Sequence, residues 1–223
     1  MQQLEIRATR AALPNLDDAG LEDVDTLVNR LGALTEFRLA DAEVRSLEVS
    51  DQRLTTGRVE GLRVERAKLH EVRMDSVEFT GCDLSGAAFT GGRWSRVRFA
   101  NCKILSGQFD GLAFEDVIFD RCKLDYAVFG NVTAKGPVIF RDCSLEEAEF
   151  SGCDLSKAAF DDCRMDLTTF ERTTARGLDL RGNDLSGIRG IASLKHAVIE
   201  PAQTMQLGRA LVGDLELSLP DDD

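Results

Sequence analysis

The sequence predicts an all-β fold: a right-handed, four-sided coil (a quadrilateral β-helix) of about eight turns, with a short C-terminal helix and strand as its cap. Three observations predict it. A large apolar residue recurs at every fifth position, a smaller inward residue precedes it by two, and cysteine recurs at every fourth repeat.

The first series runs from Leu34 through Leu39, Val44, Val49, Leu54, Val59, Val64, Leu69, Met74, Phe79, Leu84, Phe89, Trp94, Phe99, Ile104, Phe109, Phe114, Phe119 and Leu124 to Phe129. The register slips by one residue near 130–137. The series then resumes at Phe140, Leu145, Phe150, Leu155, Phe160, Met165, Phe170, Ala175, Leu180 and Leu185. A helix advances about 100° per residue, so a step of five would scatter these side chains around its axis. A flat strand alternates with period two, so an odd step would send successive residues to opposite faces. A chain that bends once per five residues satisfies the pattern, with each repeat forming one wall.

The smaller column includes Ala67, Val72, Val77, Ala87, Val97, Val117 and Ala148, and all six cysteines belong to it. Cys82, Cys102 and Cys122 are twenty apart, Cys143 follows across the slip, and Cys163 is twenty beyond that. A motif returning every fourth repeat sets the number of walls at four. Phe79, Phe99, Phe119, Phe140 and Phe160 then line one wall, and Phe89, Phe109, Phe129, Phe150 and Phe170 the wall opposite. The cysteines read as buried free thiols, since no CxxC occurs and His70 and His196 are the only imidazoles. No metal or cofactor is expected.

Three regions follow. Residues 1–33 form an N-terminal cap, with Leu4 and Ile6 as an added edge strand and 17–31 as a short helix or imperfect coil. Residues 34–189 form the coil, and at about 4.8 Å per turn it is about 37 Å long. Residues 190–223 leave the five-residue register and form a capping and dimerisation module. There Pro201 suits a first helical turn, Ala202–Val212 reads as a helix ended by Gly213, and Leu215–Leu219 alternates like a strand.

The formal net charge is −12, from 27 basic and 39 acidic residues. That argues against direct binding of nucleic acid or an anionic membrane. No apolar stretch is long enough to span a bilayer, and the N-terminus lacks the apolar core of a secretory signal, so the expected location is cytoplasmic. No phosphate-binding loop, nucleophile elbow, zinc-protease motif or dinucleotide fingerprint is present, and an enzyme is not expected. The outward positions nominate one acidic stripe: Asp120, Asp125, Glu146, Asp161 and Asp166.

The segments CDLSGAAF at Cys82–Phe89, CDLSKAAF at Cys153–Phe160 and DLRGNDLSG at Asp179–Gly187 resemble the pentapeptide-repeat family. The layout of Ile191–Pro220 is similar to the terminal module of that family's quinolone-resistance and gyrase-inhibiting members, and the small slip resembles the loop-free ones. The resemblance implies an interaction protein or scaffold that binds a protein partner. As an alternative it implies a DNA mimic that modulates or protects DNA gyrase in antibiotic resistance. It also implies a homodimer, with Ile191, Leu194, Val198, Met205, Leu207, Leu211, Leu215 and Leu217 as cap and dimer residues.

Overall fold

The computed structural model describes residues 2–218, and their chain winds as a parallel coil whose successive turns are hydrogen-bonded to one another. Phe99 pairs in register with Phe79 on one side and Phe119 on the other. Each step is twenty residues, which is four walls of five. Five strands of eight residues, Ala33–Ala40, Arg53–Glu60, Arg73–Thr80, Arg93–Ala100 and Ala113–Asp120, each cross two walls. They turn the corner at Glu36, Thr56, Ser76, Arg96 and Asp116, where φ is 50–55°. The left-handed conformation costs an L-residue about 1–2 kcal/mol, and the packing of the walls offsets that cost. The strands from Glu43–Ser50 to Thr169–Glu171 form a second, seven-stranded sheet on the remaining sides.

We number the walls by their inward residues. Wall I carries Met74, Trp94 and Phe114. Wall II carries Phe79, Phe99, Phe119, Phe140 and Phe160. Wall III carries Leu84, Ile104, Leu124, Leu145 and Met165, and wall IV carries Phe89, Phe109, Phe129, Phe150 and Phe170. The rings of wall II stack with centroids 4.5–5.2 Å apart and planes within 8°. Those of wall IV stack at 4.5–5.2 Å. Across the interior the two ladders meet edge to face, as in Phe109–Phe119 at 5.8 Å and 88°. Both arrangements suit the ring quadrupole.

The cysteines contribute more than small volume. Each thiol donates to a carbonyl of the preceding turn, from Cys102 to Phe79 at 3.5 Å, Cys122 to Phe99 at 3.4 Å and Cys153 to Phe129 at 3.1 Å. Thr168, Thr173 and Asn183 occupy the same column in later turns and donate to Leu145, Phe150 and Phe160. From Cys82 to Asn183, wherever this inward column is not apolar or glycine, it holds a small donor, which unites Cys, Thr and Asn.

The register slip lies between Ala134, which pairs with Phe114, and Val138, which pairs with Val117. The extra residue is absorbed by Lys135 and Gly136, whose amides both donate to the Phe114 carbonyl.

The N-terminal residues differ from expectation. Leu4 and Ile6 do not extend the first turn. Gln3–Ile6 and Thr9–Ala12 form a separate antiparallel hairpin lying on the outer face of wall II. There Ile6 and Ala11 bury against Ile118, Ile139 and Ala159, outward positions that would otherwise expose apolar surface. Of 17–31, Asp18–Gly20 forms one 3-10 turn and Glu22–Asp23 pairs beneath Phe37 and Arg38, so the stretch is an imperfect first turn rather than a helix.

At the other end, Pro201–Gln203 begins a helical segment and Thr204–Asp214 forms the α-helix, one residue past Gly213. The expected strand does not follow. Residues 215–218 turn back on the helix, with the amides of Leu215 and Leu217 donating to Leu211 and Val212. Leu219 lies outside the described residues. The cause is local: carbonyls of the last helical turn are without helical partners, and these amides satisfy them.

Candidate interaction surface

With the interior filled by side chains, recognition belongs to the outer walls and the two ends. The columns flanking each wall centre face outward, so their sequence sets the charge of each wall.

Wall II neutralises itself. Along it Arg58 meets Glu78, Arg98 bridges Glu78 and Asp120, and Arg141 meets Asp120 at 2.8 Å. Asp120 is fully buried, so it does not belong to an exposed stripe. Burial raises the pKa of its carboxyl, but hydrogen bonds from Arg98 and Arg141 outweigh that and hold it below the ordinary carboxylate value. Asp161 is half-buried and paired with Arg7 of the hairpin at 2.8 Å. Counting outward positions in the sequence did not separate these two acids from the rest, because the arginines that cover them come from neighbouring turns and from the hairpin.

Asp125, Glu146 and Asp166 do share a column on wall III. The Asp125 carboxylate accepts from the Ser144 hydroxyl and from the Glu146 amide. Glu146 lies 3.6 Å from Arg164. The hydrogen bonds Tyr126 N to Glu146 O and Glu147 N to Asp166 O carry that register around the corner to wall IV. Over four turns the corner adds Glu147, and the outer face of wall IV adds Glu149 on its near flank and Asp110 and Glu171 on its far flank. Seven carboxylates thus share this strip. Within these four turns its columns hold no Lys or Arg, and among the described residues only Glu146 of the seven is in an ion pair. Tyr126, the single tyrosine, stands within it 55% exposed at φ 61°, beside Val128 at 39%. Grouping residues by turn rather than by wall is the signal in the sequence that finds this strip.

The C-terminal module divides in two. Ile191, Leu194 and Leu207 pack against the end of the core. Val198 pairs with Asp179 and is part exposed, while Met205, Leu211, Leu215 and Leu217 are 44–72% exposed. The open edge is capped by polar side chains instead. Buried Gln203 donates to the carbonyls of Leu180 and Asn183 at 2.9 and 2.8 Å, and Gln206 accepts from the Leu185 amide. Asp214 accepts from the amides of Gly190 and Ile191. Apolar spacing could not reveal these caps, since the groups they satisfy are backbone.

Among the described residues no cluster of three or more His, Cys, Asp or Glu is placed to hold a metal. No helix among them is long and apolar enough to cross a membrane.

A family model described as the SV2A/B/C luminal domain matches residues 94–170, about a third of the chain. A comparison with curated proteins finds no match. Among solved structures, a trypsin-treated form of QnrB1, a plasmid-mediated fluoroquinolone resistance protein, aligns with a TM-score of 0.53 at 14% identity, over 89% of this chain and 96% of that one. HetL, a pentapeptide-repeat protein involved in heterocyst differentiation regulation from the cyanobacterium Nostoc, aligns at 0.41 with 19% identity, over 74% and 86%. At these identities the likeness to solved structures is one of fold. With the five-residue period in its sequence and this four-walled coil in its structure, the chain has the fold of the pentapeptide-repeat proteins.

Proposed function

We propose that the protein is a non-catalytic interaction protein that binds a protein partner through wall IV and its corner with wall III. The observation that carries this reading is the strip of seven carboxylates, free of Lys and Arg, around the exposed Tyr126. An exposed tyrosine offers a rigid contact area and a ring face that attracts cations. Carboxylates repel nucleic acid and membrane surfaces and attract Lys and Arg. A basic protein surface fits both features.

DNA gyrase is the specific partner to test first. Four turns rise about 19 Å, over which B-DNA carries about eleven charges. Seven carboxylates approach that density locally, although the coil as a whole does not. The exposed Met205, Leu211, Leu215 and Leu217 favour a homodimer through the C-terminal end, where a second copy would cover them.

The test is a gyrase supercoiling assay, with and without a quinolone, using wild type and the triple variant Glu146→Lys, Glu149→Lys, Asp166→Lys. A change in supercoiling or quinolone protection that the triple variant loses supports gyrase as the partner. No change at any stoichiometry removes gyrase. An effect that the triple variant retains removes this surface as the site.

A further inference from the structure

Wall I differs from wall II in how it treats charge. On wall II Arg38 and Arg58 are register partners too, but each guanidinium there has a carboxylate from a neighbouring turn, Arg38 with Glu60, Arg58 and Arg98 with Glu78, and Arg141 with Asp120. The outward column of wall I instead reads Arg53, Arg73, Arg93 in three consecutive turns. Arg53 and Arg73 are register partners, and the pairing of Trp94 with Met74 sets Arg93 above Arg73. Like charges in register on neighbouring strands destabilise the sheet. Of the carboxylates nearby, Asp75 is paired with Arg96, and Glu115 pairs with Arg93 of the column itself at 2.5 Å. Asp51 and Glu71 stand at the adjoining corner, yet among the described residues Arg53 and Arg73 are in no ion pair. Beside the column lie the hydroxyl residues Thr55 and Ser95. In a chain of net charge −12, three stacked guanidiniums of which, among the described residues, only Arg93 has an ion-pair partner stand out.

We propose that this column binds an acidic α-helix of a protein partner. Guanidiniums recognise carboxylates in a planar, two-pronged geometry. The spacing selects the helix. Arg53, Arg73 and Arg93 lie at heights of about 0, 4.8 and 9.6 Å along the coil axis. Carboxylates at positions i, i+3 and i+7 of a helix lie on one face at about 0, 4.5 and 10.5 Å. Alternate residues of an extended strand lie at about 0, 6.7 and 13.4 Å and fall out of step by the third contact. This surface is on a different wall from the acidic corner, and it stands or falls independently of the gyrase reading.

The experiment uses the full chain and two labelled, helix-stabilised peptides of equal composition. One carries Glu at i, i+3 and i+7, and the other carries the same three Glu on different faces. Binding is followed by fluorescence anisotropy. The matched peptide is expected to bind about tenfold more tightly than the mismatched one, since exposed ion pairs each contribute little. Arg73→Glu is expected to abolish that preference, and Lys123→Glu, on wall III, to leave it intact. Raising the salt should weaken the matched complex. Equal binding of the two peptides, no binding of either, or a preference that survives Arg73→Glu overturns the proposal. So does tighter binding of duplex DNA than of the matched peptide. Circular dichroism of each variant confirms that the coil is intact, so that a loss of binding reports on the surface.

Discussion

Phe37 and Gly57 are register partners on adjacent turns, and the ring of the first occupies the space that a side chain on the second would need. A Cβ built on Gly57 would lie 2.1 Å from Cε1 of Phe37. Elsewhere this inward column holds Val77, Val97, Val117 and Val138. A large residue in one turn is thus compensated by glycine in the next.

Gly57→Val is therefore expected to destabilise the protein by about 1–3 kcal/mol through overpacking. Adding Phe37→Ala should recover part of that loss, although Phe37→Ala alone is destabilising. Chemical denaturation of the two single variants and the double variant measures the coupling. Strict additivity would contradict the packing described.

Removing Phe119 should cost more. Its ring stacks on Phe99 and Phe140 and meets Phe109 and Phe129 edge to face. Phe119→Ala is expected to lose about 3–5 kcal/mol, read from the denaturation midpoint. A loss below about 1 kcal/mol would mean that the ladders contribute little.

The fold was legible because an interior this narrow admits one large and one small residue per wall, and the sequence repeats that restriction. What lay outside the repeat was less legible. Ile118 and Ile139 look like ordinary outward positions until the hairpin that covers them is known. Arg7 lies 154 residues from Asp161, a separation that no local pattern encodes. Asp120 reads as a surface acid for the same reason: its burial depends on Arg98 and Arg141, one turn away on either side. On the acidic corner, Asp125, Glu146 and Asp166 were identifiable by column. Glu147 and Glu149 needed the corner geometry.

Asp120 gives the pH dependence a sign. Its folded pKa is depressed, so its contribution is present above the unfolded value near 4 and is lost as the pH falls through the folded value. Wild type should lose stability below about pH 4 more steeply than Asp120→Asn does. At pH 7 Asp120→Ala is expected to cost about 3 kcal/mol, the low end for a broken buried pair because the arginines still reach solvent. Matching acid-unfolding profiles for wild type and Asp120→Asn would exclude this role.

The thiols should be silent in the folded protein. Burial pushes the Cys153 thiol up to about 11, and all six cysteines are buried. Thiol reagents at pH 8 are expected to modify none of the six until denaturant is added. Fast modification of even one thiol in the native protein would contradict the packing of that turn.

The twenty-residue turn can be tested with one covalent bond. Gln108 and Val128 are register partners, face outward, and sit one turn apart on wall IV. Neighbouring parallel strands place their Cα atoms within disulfide range. In the double variant Gln108→Cys, Val128→Cys, mild oxidation should close an intramolecular disulfide in the folded protein. The double variant Gln108→Cys, Glu149→Cys spans two turns and should form none. The reverse result, or no bond in either folded variant, would contradict the coil.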